Sequence, residues 1–517
     1  MSFPYPDIIF TNGRIHTLSE RSARQVEALA VYQGRIVAAG QTSRIRKLAG
    51  PQTETTDLQG KTALPGFIDA HMHLTTAGLL ETGLLVDISA ARSLAEVLEL
   101  LRTDVKTRES GAWIRARGWD ESHWPERRYL TSQDLDRVAP QNPLIAIRVD
   151  GHMMTVNSQA MAQLKIPRER PEEFDEASGL LREATAWGVY QQIKPDLAET
   201  ERALASGMRL AHSLGVTSLH DVVNPLQIKA YERLHRRGEL RLRVHLNPEI
   251  ETLESLNALG LSSDFGDDLL KLGAIKLFAD GSIGARNAAL FEPYADAPST
   301  NGKLNYTQEE LDHLVRRAHE AGLQIMIHAI GDRAIEAALD AITGSGAGPD
   351  DRPRIEHFEL ATPEQIQRCG MLGIITSMQP NFLQWSGHER LYEIRLGSER
   401  DRRIDPHCWV VEQGMRLAFG SDGMPFGPLF GIHWAVNAPY ESQRLSVEET
   451  ICAYTLGAAY AGFSEDETGS LEVGKWSDLI VLSTDPYEIT PERLAEINVL
   501  ETYLAGQLVF AREAEKT

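Results

Sequence analysis

Two histidines end a run of apolar residues in the stretch PGFIDAHMHL, residues 65–74. Side chains alternate along a β-strand, so His71 and His73 are expected to point to the same side. Two neutral imidazoles on one side can bind a single divalent metal ion. A lone His-x-His pattern is often incidental, so the pair by itself is weak evidence for such a site.

Further polar side chains lie in or at the ends of other strand-like runs, namely Lys276, His328, His357 and Asp422. Each has an ordinary explanation when taken alone, such as a hydrogen-bonded core histidine or an aspartate in a turn. The joint pattern is harder to dismiss, because histidines recur at the ends of separate strands and a carboxylate completes the set. The pattern favours a metal cluster over six unrelated residues.

Lys276 interrupts the apolar strand LGAIKLFADG, where an unpaired ammonium group is costly to bury. One explanation is a lysine that reaches solvent with its amine or pairs with Asp280. The other is a lysine carbamate, because burial and a nearby metal ion favour the neutral amine, which reacts with carbon dioxide. The product is a carboxylate that can bridge two divalent ions, and the sequence favours this second explanation.

Two β-rich ends surround a long segment of alternating strands and amphipathic helices. Hairpins are predicted around Asn12-Gly13 and Gln33-Gly34, and another around Ala505-Gly506. Neither end is large enough to bury a core alone. We therefore expect residues 1–64 and 466–517 to join into one composite β-sandwich.

Residues 65–465 are predicted to form an α/β fold, a (β/α)8 TIM-type barrel. Eight runs fit its strands: GFIDAHMH, TSLHDV, LRVHLN, AIKLFAD, QIMIHAI, RIEHFE, GIITSMQ and RLAFGSD. A ninth run, LIAIRVD at residues 144–150, is assigned to an inserted subdomain at about residues 80–200. Barrel enzymes carry their active sites at the carboxyl ends of the strands, and the candidate residues collect there.

Composition restricts the classes of function open to these 517 residues. The formal net charge of -21 argues against nucleic acid and anionic membranes as partners. The three cysteines show no close spacing, so neither a disulfide framework nor a thiolate zinc site is implied. The first residues lack the features of a signal peptide, and we expect a cytoplasmic protein that acts on a small molecule. A homodimer is the default expectation for a soluble oligomer.

Nine stretches between about residue 7 and about residue 510 form a series: PGFIDAHMHL, GWDESHWPE, DGHMMTVNS, LGVTSLHD, IKLFADGSIGARNAAL, MIHAIGDRAI, RIEHFEL, LAFGSDGMPFGPLFGIHWAVN and GSLEVGKWSDLIVL. The series resembles the amidohydrolase superfamily, and more narrowly the amidohydrolase-3 (YtcJ-like, N-substituted formamide deformylase-like) family. The resemblance implies a metal-dependent hydrolase with a barrel, a composite sandwich and an insertion. It also implies a divalent metal cofactor, two zinc ions per chain. The implied ligands are His71 and His73 for one ion, His328 and His357 for the other, and carboxylated Lys276 as the bridge, with Asp422 as the metal-bound catalytic carboxylate.

The implied reaction is hydrolysis of the amide-type C–N bond of an N-acyl or N-formyl amine. An ester or carbamate hydrolase on the same centre stays open, as does a non-catalytic scaffold that keeps the barrel. We expect Trp119, Asp150 and His152 of the insertion to contact substrate, although Trp119 is equally well explained as insertion core. Asp69 and Asp221 each lie close to a histidine in the sequence and are candidates to hydrogen-bond metal-bound groups.

Overall fold

The computed structural model describes residues 5–19, 21–121, 124–149, 151, 153–168, 170–388 and 390–513. Its contacts divide the chain into two compact units. The first consists of Met1–Leu74 together with Met208–Thr517, and the second of Thr75–Gly207. Among the helices of the described residues, none is long and apolar enough to cross a membrane.

The first unit begins with eight strands and one short helix. They are β1 (Ile8–Thr11), β2 (Arg14–His16), β3 (Gln25–Val26), β4 (Ala28–Tyr32), β5 (Arg35–Gly40), α1 (Thr42–Ile45), β6 (Glu54–Asp57), β7 (Thr62–Pro65) and β8 (Phe67–Met72). Four of them form a sheet in the order β5-β4-β1-β6. The strand β8, which carries His71, is buried at every position and follows β7 after one glycine.

The second unit is an α/β body with its own core. Its elements are α2 (Leu74–Glu81), β9 (Val86–Asp87), α3 (Leu94–Val105), β10 (Ile114–Trp119), α4 (Ser132–Val138), β11 (Leu144–Arg148), β12 (Met153–Val156), α5 (Ser158–Gln163), β13 (Phe174–Asp175), β14 (Leu180–Arg182), α6 (Glu183–Ile193) and α7 (Leu197–Ser213). The first residue of α2 and residues 208–213 of α7 belong to the first unit. The six strands form one sheet in the order β13-β14-β12-β11-β10-β9. The run at residues 144–150 contributes β11 to this sheet, and its assignment to an inserted subdomain stays a prediction.

The first unit continues with strands and helices in alternation. These are β15 (Val216–Val223), α8 (Pro225–Arg236), β16 (Arg243–Pro248), α9 (Leu253–Leu259), β17 (Leu270–Leu272), β18 (Ala274–Phe278), α10 (Gln308–Glu320), β19 (Gln324–Ala329), α11 (Asp332–Ser345), β20 (Arg354–His357), α12 (Pro363–Leu372), β21 (Ile375–Met378), α13 (Leu391–Leu396), α14 (Ser398–Asp401), α15 (His407–Glu412), β22 (Leu417–Phe419), α16 (Pro428–Val436), α17 (Val447–Cys452) and α18 (Ala458–Ala461). Two parallel sheets result, β17-β16-β15-β8 and β18-β19-β20-β21-β22. All eight strand-like runs predicted for the barrel are strands here, and β17 is an additional one. Parallel strands that are covered on both faces read as nearly continuous apolar runs, which is why the sequence revealed them.

Three C-terminal strands complete the first unit: β23 (Leu479–Leu482), β24 (Val499–Leu504) and β25 (Gln507–Ala511). They join the N-terminal strands in a sheet of the order β25-β24-β23-β7-β2-β3. Side chains of both sheets share one core cluster, in which Phe10 lies edge-on against Tyr503 at 5.0 Å. The two ends of the chain therefore pack as two sheets, face to face.

Two of the three predicted hairpins are present and one is not. The turns at Gln33-Gly34 and Ala505-Gly506 connect antiparallel neighbours, β4 with β5 and β24 with β25, and both residues of each turn have positive φ. The hairpin predicted around Asn12-Gly13 is wrong, because β1 pairs with β4 and β6 while β2 pairs with β3 and β7. The Gly13 N–H bonds to the carbonyl of Glu27 instead, so this turn carries the chain from one sheet to the other.

Candidate metal centre

The predicted site residues lie in five strands of the first unit or just after them. His71 lies in β8, Lys276 in β18, His328 in β19 and His357 at the end of β20, while His73 and Asp422 lie just beyond β8 and β22. All of them except His73 have side chains that are at most 13% exposed, whereas the His73 side chain is 37% exposed. A buried group of imidazoles, an amine and a carboxylate is unusual for a core and typical of a binding site.

His71 lies at the centre of this group. Its Nε2 atom is 3.3 Å from Lys276 Nζ and 3.8 Å from Asp422 Oδ1. The same Asp422 oxygen is 3.3 Å from His73 Nε2, and the ring of His357 is 4.9 Å from the ring of His71. His71, His357 and Asp422 each offer a ligand atom, and these three atoms lie within 4.8 Å of one another. The three could therefore hold one metal ion.

His328 joins the group through His357, whose ring lies 4.4 Å away. The His328 Nε2 atom lies 3.0 Å from the Gly281 carbonyl oxygen and 3.4 Å from Asp280 Oδ1. The Nδ1 atom of His357 is buried and has no hydrogen-bond partner among the described residues. The side chain of Gln379 lies close enough to this imidazole to oppose the lowering of its pKa by burial.

Asp280, the alternative partner of Lys276, is occupied elsewhere. Its carboxylate accepts hydrogen bonds from the backbone N–H groups of Ala289, Ile330 and Gly331. The aspartate thus organises the loops after β18 and β19.

Left-handed backbone conformations aim two of the site residues. His357 has φ 70°, the following Phe358 has φ 53°, and Asp422 has φ 52°. Such values are uncommon for residues other than glycine and concentrate at functional sites. At His357 the turn interrupts strand alternation, so that Glu356 and His357 both contact His71 although they are consecutive.

Asp69 ties the loop that carries Asp422 to strand β8. It accepts hydrogen bonds from Ser421 N at 3.0 Å, from Ser421 Oγ at 2.6 Å and from His71 N at 3.2 Å. The Asp422 N–H in turn donates to the His71 carbonyl at 2.9 Å. Burial raises the pKa of Asp69 to about 7. Asp221 accepts from Leu74 N, directly after His73. A role of these aspartates toward metal-bound groups stays a prediction.

Glu356 and Arg354 are contacts that the sequence reasoning missed. The His71 Nδ1–H donates to Glu356 Oε2 at 2.5 Å, and Arg354 Nε donates to Glu356 Oε1 at 2.9 Å. Burial alone would raise the pKa of Glu356, but the guanidinium of Arg354 and the His71 bond outweigh it and hold that pKa at about 2. The sequence does hint at these contacts, because Arg354 and Glu356 are charged residues in RIEHFE, a strand that was expected to be buried.

The protonation states suit metal binding. Burial lowers the pKa of His71 to about 4, so its imidazole is neutral at neutral pH. Burial lowers the pKa of Lys276 to about 8. Burial opposes ionisation of Asp422, but the hydrogen bond from His73 and the nearby cationic groups outweigh it and lower the pKa to about 2.

Of the three predicted substrate contacts, the structure describes Trp119 alone. Trp119 is fully buried in the core cluster of the second unit, and its indole N–H donates to the Ala146 carbonyl at 2.9 Å. This position agrees with insertion core, and a substrate contact by Trp119 stays a prediction. Asp150 and His152 lie outside the described residues.

Comparisons with known proteins agree on one group of relatives. The model of the amidohydrolase family, Amidohydro_3, matches residues 54–510. YtcJ of Bacillus subtilis, whose name describes it as an amidohydrolase, is 32% identical over 98% of this chain and 99% of its own. N-substituted formamide deformylase of Arthrobacter pascens is 28% identical over 98% of each chain. The crystal structure of an uncharacterized metal-dependent hydrolase from Pyrococcus furiosus superposes with a TM-score of 0.78 at 31% identity, covering 93% of this chain and all of the other.

Proposed function

The chain belongs to the amidohydrolase family, and from this premise we propose that it is a metal-dependent hydrolase that cleaves the C–N bond of an amide-type small molecule. The observation that carries the proposal is the buried set of His71, His357 and Asp422, whose ligand atoms lie within 4.8 Å of one another. An N-acyl or N-formyl amine is the proposed substrate. The likeness to N-substituted formamide deformylase over 98% of the chain supports this choice.

The donor atoms fit a divalent metal ion. Metal binding needs a neutral imidazole and an ionised carboxylate, and the pKa values of about 4 for His71 and about 2 for Asp422 provide both at neutral pH. The imidazole of His357 places a third donor atom within 4.8 Å of the other two. Imidazole and carboxylate ligands suit zinc.

Two zinc ions are proposed, held by the six side chains of His71, His73, Lys276, His328, His357 and Asp422. Lys276 enters as a carbamate, in which its neutral amine nitrogen bonds to the carbon of carbon dioxide and releases a proton. Its complete burial, its distance of 3.3 Å from His71 Nε2 and its pKa of about 8 support this chemistry.

In the proposed reaction, Asp422 is the residue that carries the proton. Metal ions held by these side chains would supply an acidified water molecule and a polarised substrate carbonyl. Asp422 accepts the proton of this water on its carboxylate while the water oxygen bonds to the carbonyl carbon. Asp422 then gives the same proton to the leaving nitrogen as the C–N bond breaks. A pKa of about 2 keeps Asp422 ionised, and so able to accept a proton, at the start of each cycle.

We further propose that the two parallel sheets of the first unit close into a (β/α)8 barrel. On one side, Glu249 after β16 forms a parallel bridge with Lys276 in β18. On the other side, the residues after β22 bond to β8 through Ser421 and Asp422. The first link starts beside the edge strand β17 and the second at the edge strand β8, so both sides of the first sheet are tied to the second sheet. Closure of this kind would place the site at the mouth of the barrel.

The test combines metal content with a substrate panel. Zinc per chain is measured by elemental analysis, and hydrolysis is followed for N-formyl and N-acyl amines beside esters and carbamates of the same groups. Wild type should hold zinc and prefer the amides. Asp422→Asn should lose activity about 10²–10⁴-fold, the usual share of a general acid–base group. The exposed Asp350→Asn is the matched control and should behave as wild type. A wild type that holds no metal would overturn the proposal of a metal-dependent hydrolase. A preference for esters would overturn the proposal that the enzyme cleaves a C–N bond.

A further inference from the structure

We propose that Glu356 is a positioning residue that fixes the ring of His71 for metal binding, and that Arg354 fixes Glu356. This inference rests on the proposed function and extends it to two residues beyond the predicted ligand set. Glu356 and Arg354 are at most 1% exposed and lie on strand β20 beside His357.

The hydrogen bond to Glu356 determines which nitrogen of His71 is free. A carboxylate oxygen accepts hydrogen bonds, so the contact of 2.5 Å requires the hydrogen on Nδ1. A neutral imidazole carries one hydrogen, and the Nε2 atom therefore keeps its lone pair. That atom faces Lys276 Nζ at 3.3 Å and Asp422 Oδ1 at 3.8 Å, which is the side where the metal is proposed.

Arg354 holds the carboxylate of Glu356 with two hydrogen bonds. Its Nε donates to Oε1 at 2.9 Å and its second terminal nitrogen donates to Oε2 at 3.1 Å. A two-point contact of this kind fixes the plane of the carboxylate as well as its position. Oε2 therefore remains directed at His71, and the guanidinium balances the buried charge.

The guanidinium is itself fixed from several sides. It donates to the Ala70 carbonyl at 2.7 Å and to Ser377 Oγ at 3.1 Å, and its remaining terminal nitrogen lies 2.8 Å from His220 Nδ1. Ala70 precedes His71 in β8, so Arg354 connects the backbone of the ligand strand with the group that holds the ligand ring. The chain of contacts from Arg354 through Glu356 to His71 is rigid and buried throughout, as the second set of contacts around a metal ligand must be.

The competing explanation is an ordinary buried ion pair that stabilises β20 and has no influence on the metal. Variants that change either the length of the Glu356 side chain or its charge distinguish the two explanations. Glu356→Gln keeps an oxygen that can accept from His71 Nδ1–H but removes the charge. Glu356→Asp keeps the charge beside Arg354 but withdraws the oxygen by one methylene. Glu356→Ala removes both features.

The experiment measures the zinc dissociation constant of each variant by competition with a chromogenic chelator, and the visible absorption of the cobalt(II) form. Loss of a residue that orients a metal ligand weakens metal binding about 10–100-fold, and we expect this loss for Glu356→Ala and Glu356→Asp. Glu356→Gln should lose least, and the cobalt(II) bands should shift in the Ala and Asp variants. If Glu356→Gln, which keeps the side-chain length but not the charge, binds zinc better than Glu356→Asp, a purely structural ion pair cannot explain the result.

The matched control is another buried arginine–carboxylate pair of the first unit, Arg243 with Asp478, whose Nε–Oδ2 distance is 2.6 Å and whose side chains are 6% and 5% exposed. Asp478→Asn should lower the melting temperature and leave the zinc dissociation constant unchanged. Equal zinc affinity in all Glu356 variants, or an order that follows charge instead of reach, would overturn the inference. If Glu356→Ala does not fold, the comparison of the Gln and Asp variants still decides. A wild type that binds no zinc would instead refute the proposed function itself.

Discussion

Replacing Lys276 with methionine should change stability and metal binding in opposite directions. Methionine matches the length of the lysine stem and adds no charge, so the space within the strand stays filled. In metal-free protein the substitution removes an ammonium group from a fully buried position. In metal-loaded protein it removes the proposed bridge, and the zinc content should fall from two ions per chain to one or none.

The size of the stability gain follows from the pKa of the amine. Burial lowers it from 10.5 to about 8, so the unfolded chain binds the proton more tightly than the folded chain. The resulting penalty is complete below pH 8 and disappears above pH 10.5. A pKa difference of one between the folded and the unfolded chain corresponds to ~1.4 kcal/mol. Lys276→Met should therefore stabilise metal-free protein by about 3 kcal/mol at pH 7 and by ~1.4 kcal/mol at pH 9.5.

Urea unfolding of chelator-treated protein at pH 7 and pH 9.5 measures this gain, with the exposed Lys47→Met as control. The control should stay within about 0.5 kcal/mol of wild type at both pH values. Elemental analysis of metal-loaded protein provides the second half of the test. A variant that is destabilised equally at both pH values would refute the reasoning, because Lys276 would then be a packing residue whose charge has no cost.

Three further perturbations address the metal, a close approach and a distant ion pair. Removal of divalent ions with a chelator should abolish hydrolysis of the best N-formyl or N-acyl amine, and added zinc should restore it in a rate assay. Gly420→Ala would bring a methyl group to 2.4 Å from His71 N, so the zinc affinity measured by chelator competition should fall. Its control is Gly344→Ala, where the new methyl group meets no atom within 4 Å. This control should stabilise helix α11 by about 0.5–1 kcal/mol in urea unfolding. Asp478→Ala should cost ~3–5 kcal/mol in urea unfolding, because it leaves Arg243 buried without its carboxylate, and zinc content should not change.

The strands and the residues at their ends could be read from the sequence because each depends on local pattern. Strands β8, β15, β16 and β18 to β22 are short apolar runs, and their polar residues follow at the carboxyl ends. The turns at Gln33-Gly34 and Ala505-Gly506 carry their own signal, since each has two residues of positive φ. Asn12 has positive φ too, but its neighbouring strands enter different sheets, and pairing at that distance leaves no local trace.

The contacts that orient the site were out of reach for a related reason. Glu356 and His71 are far apart in the chain, so no local pattern announces their hydrogen bond. That His357 faces His71 as well depends on its left-handed conformation, which no residue type demands. Trp119 shows the same limit in the second unit. Its aromatic character was compatible with a binding surface or with a core, and packing around the ring decides between the two.

The pairing of β7 with β23 imposes an order of events on the ribosome. Strands β7 and β8 leave the exit tunnel long before β23 has been made, so β7 waits with one edge unpaired. Strand β7, which directly precedes the strand that carries His71, therefore gains its second neighbour only when the C-terminal strands have been made. For most of its synthesis the chain thus carries an open sheet edge, the kind of surface that favours association between incompletely folded chains.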